Sequence, residues 1–244
     1  MGDPKPQSAY RRVLWGVDTM RMLVHRPAAH PELPAKWKPQ TFNWAWPDEV
    51  ESWTWPGFEG QPLGVRVFAR GCESVQLALD GKTLATAAVQ SNLTAIFTGI
   101  PYRSGSLQAS CVNGSTPVRN ISYELQTAGA PASLQLHADR TVLRHNMNDL
   151  AYVSVTVVDA VSRRHPTAAV SVSFSVGGAG RLVAVGSGDP ADPSSFTDNA
   201  RTTWRGRAMA ILQPTLGVAA GTITLTASVP GLKAAQITIT TIIL

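Results

Sequence analysis

Three carboxylates, Glu49, Glu51 and Glu59, lie in or beside a tryptophan cluster: five of the chain's seven tryptophans fall between Trp37 and Trp55. Acids beside aromatic rings are the residue types of a sugar site. Two carboxyls held about 5–9.5 Å apart can cleave a glycosidic bond, and a flat ring offers a pyranose its apolar face at little entropic cost. The spacing favours the second role. The run W-K-P-Q-T-F-N-W-A-W-P-D-E-V-E-S-W-T-W-P-G-F-E-G reads as a loop set among Pro, Asn and Gly, whereas hydrolysis needs two acids on rigid elements. Trp44, Trp46, Trp53 and Trp55 are therefore the candidate substrate-binding residues, and no catalytic residue is assigned. Packing at a domain junction is the favoured role for the same rings, because Trp is large and usually mostly buried.

Other chemistry is sparse. The histidines His25, His30, His137, His145 and His165 show no H-E-x-x-H or other paired metal spacing, and His137 falls in an alternating strand pattern where a structural role is expected. No P-loop or G-x-S-x-G occurs, so Gly177-Gly178 and Gly186-Ser187-Gly188 read as turns. Asp189-Pro190, Asp192-Pro193 and Asp198-Asn199 make the densest acidic loop. It lacks the regular oxygen-ligand spacing of a calcium site and reads as a turn-rich connection. Neither a metal ion nor a cofactor is expected. Cys72 and Cys111, the only cysteines, leave a single disulfide across a sandwich and two buried thiols equally open. Three N-x-S/T triplets, at Asn92, Asn113 and Asn120, hint at secretion, although such triplets are common by chance.

These residues need a frame, and the pattern supplies one. Pro6 can enter a helix, Ser8 can cap it, and Tyr10, Val13, Leu14 and Val17 follow helical spacing until Gly16. So short a helix must dock on something larger. Met20, Met22 and Val24 then alternate as a strand, and Pro27 to Pro39 is a proline-spaced connector. From Leu63 the chain is β throughout, with Val75, Leu77 and Leu79 inward and Asp80-Gly81 at a hairpin turn. Thr127 to Pro131 breaks the pattern, and seven further short strands follow at regular spacing. The expected fold is all-β: two tandem immunoglobulin-like β-sandwiches preceded by a short N-terminal helix. The expected divisions are residues 1–17 (helix), 18–127 (sandwich with the Trp-rich loop) and 128–244 (C-terminal sandwich).

Composition limits the partners. The net charge of +5 is uneven: residues 1–40 hold seven Lys/Arg against three acids, and the remainder 14 against 13. The basic residues are interspersed with Pro and His and join no nucleic-acid module, so no nucleic acid is expected. No apolar run reaches a membrane span, so no membrane is expected either. The start lacks the charged and apolar regions of a signal peptide and has no lead-in to its first element.

Several longer motifs carry a resemblance. G-D-P-K-P-Q-S-A-Y-R-R-V-L-W-G (Gly2–Gly16) resembles the segment that closes the catalytic barrel in glycoside hydrolase family 2 proteins of the β-galactosidase type. M-L-V-H-R-P, W-T-W-P-G-F-E-G (Trp53–Gly60) and V-Q-L-A-L-D-G-K are similar to the Ig-like domain after that barrel. Ala128–Arg140, Asn148–Asp159 and Gly186–Pro190, through W-R-G-R-A-M-A-I-L, resemble the family's last Ig-like domain. The resemblance covers nearly the whole chain, in order. It implies the C-terminal third of a retaining exo-glycosidase, with both catalytic glutamates in a barrel preceding Met1 and the helix Ser8–Trp15 an orphaned last barrel helix. The implied partners are carbohydrate and the missing N-terminal domains of the same polypeptide, in an extracytoplasmic or secreted setting. The alternative is a free-standing Ig-like carbohydrate-binding or adhesin-like module.

Overall fold

The computed structural model describes residues 4–27, 47–146 and 148–243. The chain forms two compact units, Gly2–Thr127 and Ala128–Leu244. Each is an immunoglobulin-like β-sandwich, and the helical content among the described residues is a single short helix. No helix of the described residues is long and apolar enough to cross a membrane.

The first unit contains α1 (Ser8–Leu14), β1 (Met20–His25), β2 (Glu49–Val50), β3 (Pro62–Ala69), β4 (Ser74–Leu79), β5 (Lys82–Ala88), β6 (Thr94–Pro101), β7 (Ser106–Asn113) and β8 (Thr116–Gln126). Its sheets run β2-β1-β3-β6 and β5-β4-β7-β8. Period-2 alternation makes the sandwich: β4 buries Val75, Leu77 and Leu79 and leaves Ser74, Gln76 and Ala78 half-buried on its other face. The hairpin after it turns at Asp80 (φ 49°) and Gly81 (φ 79°), the pair of positive φ values that a two-residue turn needs to match strand twist. Val65, Val67, Leu77 and Leu107 meet in the core between the sheets. Each such fully buried side chain stabilises the fold by about 1.5–3 kcal/mol relative to exposure.

Two strands of this unit break the alternation. β1 buries Met22, Leu23 and Val24 in succession, and β3 buries Val67, Phe68 and Ala69. The cause is α1, which lays Ala9 and Val13 over Leu23 and Phe68 on the outside of the sheet. Tyr10 meets Phe68 edge-on, with ring centroids 5.4 Å apart. Ser8 is not the cap that its type and position suggest. Gln7 occupies that place without a side-chain bond, and the first helical N–H groups donate to Lys5 O and Pro6 O, at 2.8 and 3.0 Å, in the preceding turn. Gly16 (φ 74°) ends the helix in the left-handed conformation.

The second unit contains β9 (Ser133–Ala138), β10 (Val142–Arg144), β11 (Ala151–Val158), β12 (Ser171–Gly178), β13 (Gly180–Gly186), β14 (Ala200–Thr202), β15 (Arg207–Pro214), β16 (Thr222–Ser228) and β17 (Ala235–Ile242). Its sheets run β10-β17-β16-β12-β14 and β13-β15-β11-β9. Val153, Val155, Leu212, Leu225 and Ile239 fill the space between them. The seven strands expected here are joined by β10 and β14, of three residues each and so too short to carry a period. Cys72 and Cys111 form a disulfide, with Cα atoms 5.5 Å apart, that pins the β3–β4 connection to β7. The free-thiol alternative is thereby corrected.

Candidate functional site

Of the four tryptophans expected to meet substrate, Trp44 and Trp46 lie outside the described residues, as does Trp37. Trp53 and Trp55 are core residues, 0% and 1% exposed. Trp53 Nε1 donates to Arg103 O at 2.9 Å, and its ring meets Tyr102 edge-on at 5.1 Å. The Tyr102 hydroxyl accepts from the Trp55 backbone N–H at 3.0 Å, and Thr127 Oγ1 donates to Trp53 O at 2.7 Å. Trp53 and Trp55 therefore join the core of the first sandwich, while Pro56 after them is exposed. Neither buried ring offers a face to a sugar, which corrects the expectation for these two positions. The physical reason is that a Trp-X-Trp step can serve a core from a loop when the indoles are packed and the segment is hydrogen-bonded, here through Trp53 Nε1, the Trp55 backbone N–H and Trp53 O.

The acids have partners of a different kind. Glu49, 4% exposed, sits on β2 with its Oε1 2.8 Å from His25 Nε2 and 3.0 Å from Arg66 Nε. Gly64 makes this approach feasible, since a Cβ there would lie 2.7 Å from the imidazole. Arg26 closes the same edge by pairing with Asp48 at 3.0 Å. These contacts fasten together the two strands that bracket residues 28–46. Glu59 is exposed.

Glu51 belongs to a charged relay across the first unit. Arg12 Nε and Arg21 Nε both donate to Asp18, at 2.6 and 2.7 Å. Arg21 Nη1 reaches Glu51 at 2.8 Å and the Tyr123 hydroxyl at 3.0 Å, and Tyr123 in turn donates to Glu51. The hydrogen bonds from Arg12 and Arg21 hold the Asp18 carboxyl down at about 2. Burial, then the bond to Glu51, pushes the Tyr123 hydroxyl up to about 12. The relay ties α1 to β1, to the start of the Trp segment and to β8 in the opposite sheet. With that anchor the C-terminal end of α1 and the turn after it expose apolar surface: Leu14, the last helical residue, Trp15 at the C-cap and Val17 beyond it are 42%, 71% and 60% exposed. Val13 of the expected stripe faces the sheet, whereas Leu14 is exposed and Val17 lies beyond the end of the helix.

In the second unit the acidic loop between β13 and β14 is built of Asx turns. Asp189 accepts from Ala191 N at 3.0 Å and Asp192 from Ser194 N at 2.9 Å, and Asp192 also pairs with Arg201 at 2.7 Å. The bonds from Ser194 and Arg201 hold the Asp192 carboxyl at about 2. Among the described residues no group of three or more His, Cys, Asp or Glu could hold a metal ion. His137 is exposed on β9, and burial lowers the imidazole of His165 below its usual value. The feature that motif reading passes over is Phe196, 68% exposed beside a groove of about 350 Å³ lined by Ala184, Gly186, Met209 and Ile211. Its one sequence signal is a lone aromatic in the polar run S-S-F-T-D-N.

Residues 134–238 match the family model described as glycoside hydrolase family 2 C-terminal domain 5. A β-galactosidase of Bacteroides ovatus is 26% identical over 154 residues, 63% of this chain and 18% of its own length. Among solved structures, a glycosyl hydrolase family 2 member from Bacteroides cellulosilyticus superposes with TM-score 0.87 at 33% identity, covering 99% of this chain and 31% of that one. A β-glycosidase from Bacteroides vulgatus shares the fold, with TM-score 0.72 at 22% identity over 97% of this chain and 26% of its own. The chain thus spans less than a third of the length of each of these relatives.

Proposed function

We propose that this chain, a relative of the C-terminal region of glycoside hydrolase family 2 proteins, is a non-catalytic accessory region that braces a catalytic barrel of that family and shapes the approach of its substrate. The reaction served would be hydrolysis of β-galactosides, the activity named for the Bacteroides ovatus relative. The observation that carries this reading is α1 together with the turn that follows it. Ala9 and Val13 seat the helix on the sheet, while Leu14 at its end and Trp15 and Val17 just past it leave apolar surface exposed. An exposed apolar ledge of this kind marks a surface that a second body covers. The relay through Asp18, Arg21, Glu51 and Tyr123 fixes its position, so little order remains to be imposed when a barrel docks. The Cys72–Cys111 disulfide favours an oxidising, extracytoplasmic setting.

Two assays test the reading. The 244-residue chain alone should leave a chromogenic β-galactoside uncleaved, and turnover at an enzymatic rate would overturn the non-catalytic assignment. A chimera in which this chain replaces the matching part of the Bacteroides cellulosilyticus enzyme should fold and cleave that enzyme's substrate, and Trp15→Ser should lower the chimera's melting temperature. An unaltered melting temperature would instead favour a free-standing carbohydrate-binding or adhesin-like module.

A further inference from the structure

We propose that the outer face of the sheet β13-β15-β11-β9 is a binding platform for a neutral oligosaccharide, with Phe196 as its stacking ring. The loop that carries Phe196 is held from below by a buried cation. Arg201 is 3% exposed, and its guanidinium pairs with Asp192 at 2.7 Å and donates to the carbonyls of Ser195 (2.6 Å), Val185 (3.3 Å) and Ser194 (3.3 Å). It also lies 5.3 Å from the centre of the Phe196 ring. Burying a guanidinium is costly unless it is paired and hydrogen-bonded, and here both Nη atoms are engaged by Asp192 and the loop carbonyls while Nε has no hydrogen-bond partner. Its effect is to hold an exposed aromatic ring in one place before any ligand arrives, which removes an ordering cost from binding.

The sheet beneath is shaped to match. Gly186 passes under Phe196, where a Cβ would lie 3.9 Å from the ring, and strand register sets it beside Met209. On the far side of Met209 the same row continues to Ser154 and then to His137, and Tyr152, 40% exposed, stands in the next row beside Ile211. The floor is thus apolar over β13 and β15 and carries hydroxyl and imidazole groups over β11 and β9, about 5–10 Å away at ordinary strand spacing. A sugar ring calls for this mixture, since it lays a C–H face on an aromatic and directs hydroxyls sideways to polar side chains. The inference rests on the chain serving a carbohydrate-processing protein, but its site lies wholly in the second unit.

Affinity electrophoresis and calorimetry of the 244-residue chain with soluble β-1,4-galactan and its tetrasaccharide test the platform. The parent chain should be retarded by galactan, and Phe196→Ala should weaken tetrasaccharide binding about tenfold or more at an unchanged melting temperature. Tyr152→Phe should cause a smaller loss. Absence of retardation, or Phe196→Ala binding as the parent does, would overturn the platform. So would a parent dimer that Phe196→Ala dissolves, since the face would then be a protein interface. Each of these outcomes leaves the chimera assay intact, and a failed chimera leaves the galactan result standing.

Discussion

The two sandwiches are built by the same alternation but dress their outer faces differently. In the first unit a helix covers Leu23 and Phe68, and a relay of ion pairs binds that helix to both sheets. In the second, the corresponding dressing is a loop that holds one aromatic ring above an otherwise open sheet face. Both cores are filled with aliphatic side chains whose job is cohesion. What distinguishes the units is what each adds outside its core: the first an apolar ledge at Leu14, Trp15 and Val17, the second the groove beneath Phe196.

The comparison can be broken most forcefully at Trp53. Removing a fully buried indole should cost about 3–5 kcal/mol, felt by the first unit alone. Segment-resolved hydrogen exchange should show Trp53→Ala raising exchange in β3, β4 and β7 while β11, β15 and β16 stay protected. Equal loosening of both units would deny them separate cores. The disulfide comes next: replacing Cys72 and Cys111 by Ser should destabilise the first unit by about 2–4 kcal/mol, read as a lower denaturation midpoint.

Acid should expose the relay with a smaller effect. Asp18 has its carboxyl depressed to about 2, so the stability it contributes is present above the ordinary carboxylate range, about 4, and is lost as pH falls through 2. Asp18→Asn should therefore flatten the fall in melting temperature between about pH 4 and pH 2, at a cost of no more than about 1 kcal/mol at neutral pH. Tyr123 works in the opposite sense. Its raised value means that its contribution is intact below about 10 and fades as pH climbs through 12, so Tyr123→Phe should remove a stability loss at high pH. The smallest expected change is at the Phe196 loop. Phe196→Ala should leave stability near the parent's, because the ring is mostly in water.

Much of this was legible in the residues, and the reasons differ by element. The Asp80-Gly81 hairpin announced itself because only a few residue types tolerate its two positive φ values. The long strands β11, β15 and β16 declared their inner faces through alternation. The consecutive apolar residues Met22-Leu23-Val24 and Val67-Phe68-Ala69 held more than alternation credits: a strand buried on both faces implies a cover, and α1 is that cover. The buried places of Trp53 and Trp55 could not be read locally, because their partners Arg103 and Tyr102 lie some fifty residues away. Phe196 and Arg201 escaped for a different reason, since their partners lie within sixteen residues but in a loop that has no period to read. A lone Phe in a polar loop says nothing until the guanidinium beneath it and the glycine opposite it are seen together.

The central claim is that α1 presents a ledge for a catalytic barrel, and one binding measurement tests it most directly. The 244-residue chain would be titrated against the barrel-bearing remainder of the Bacteroides cellulosilyticus relative, expressed without its own matching part. The account predicts saturable association that falls at least tenfold when Leu14 and Trp15 are both changed to Ser, with the first unit still folded by circular dichroism. Association of unchanged strength in that double variant would contradict it.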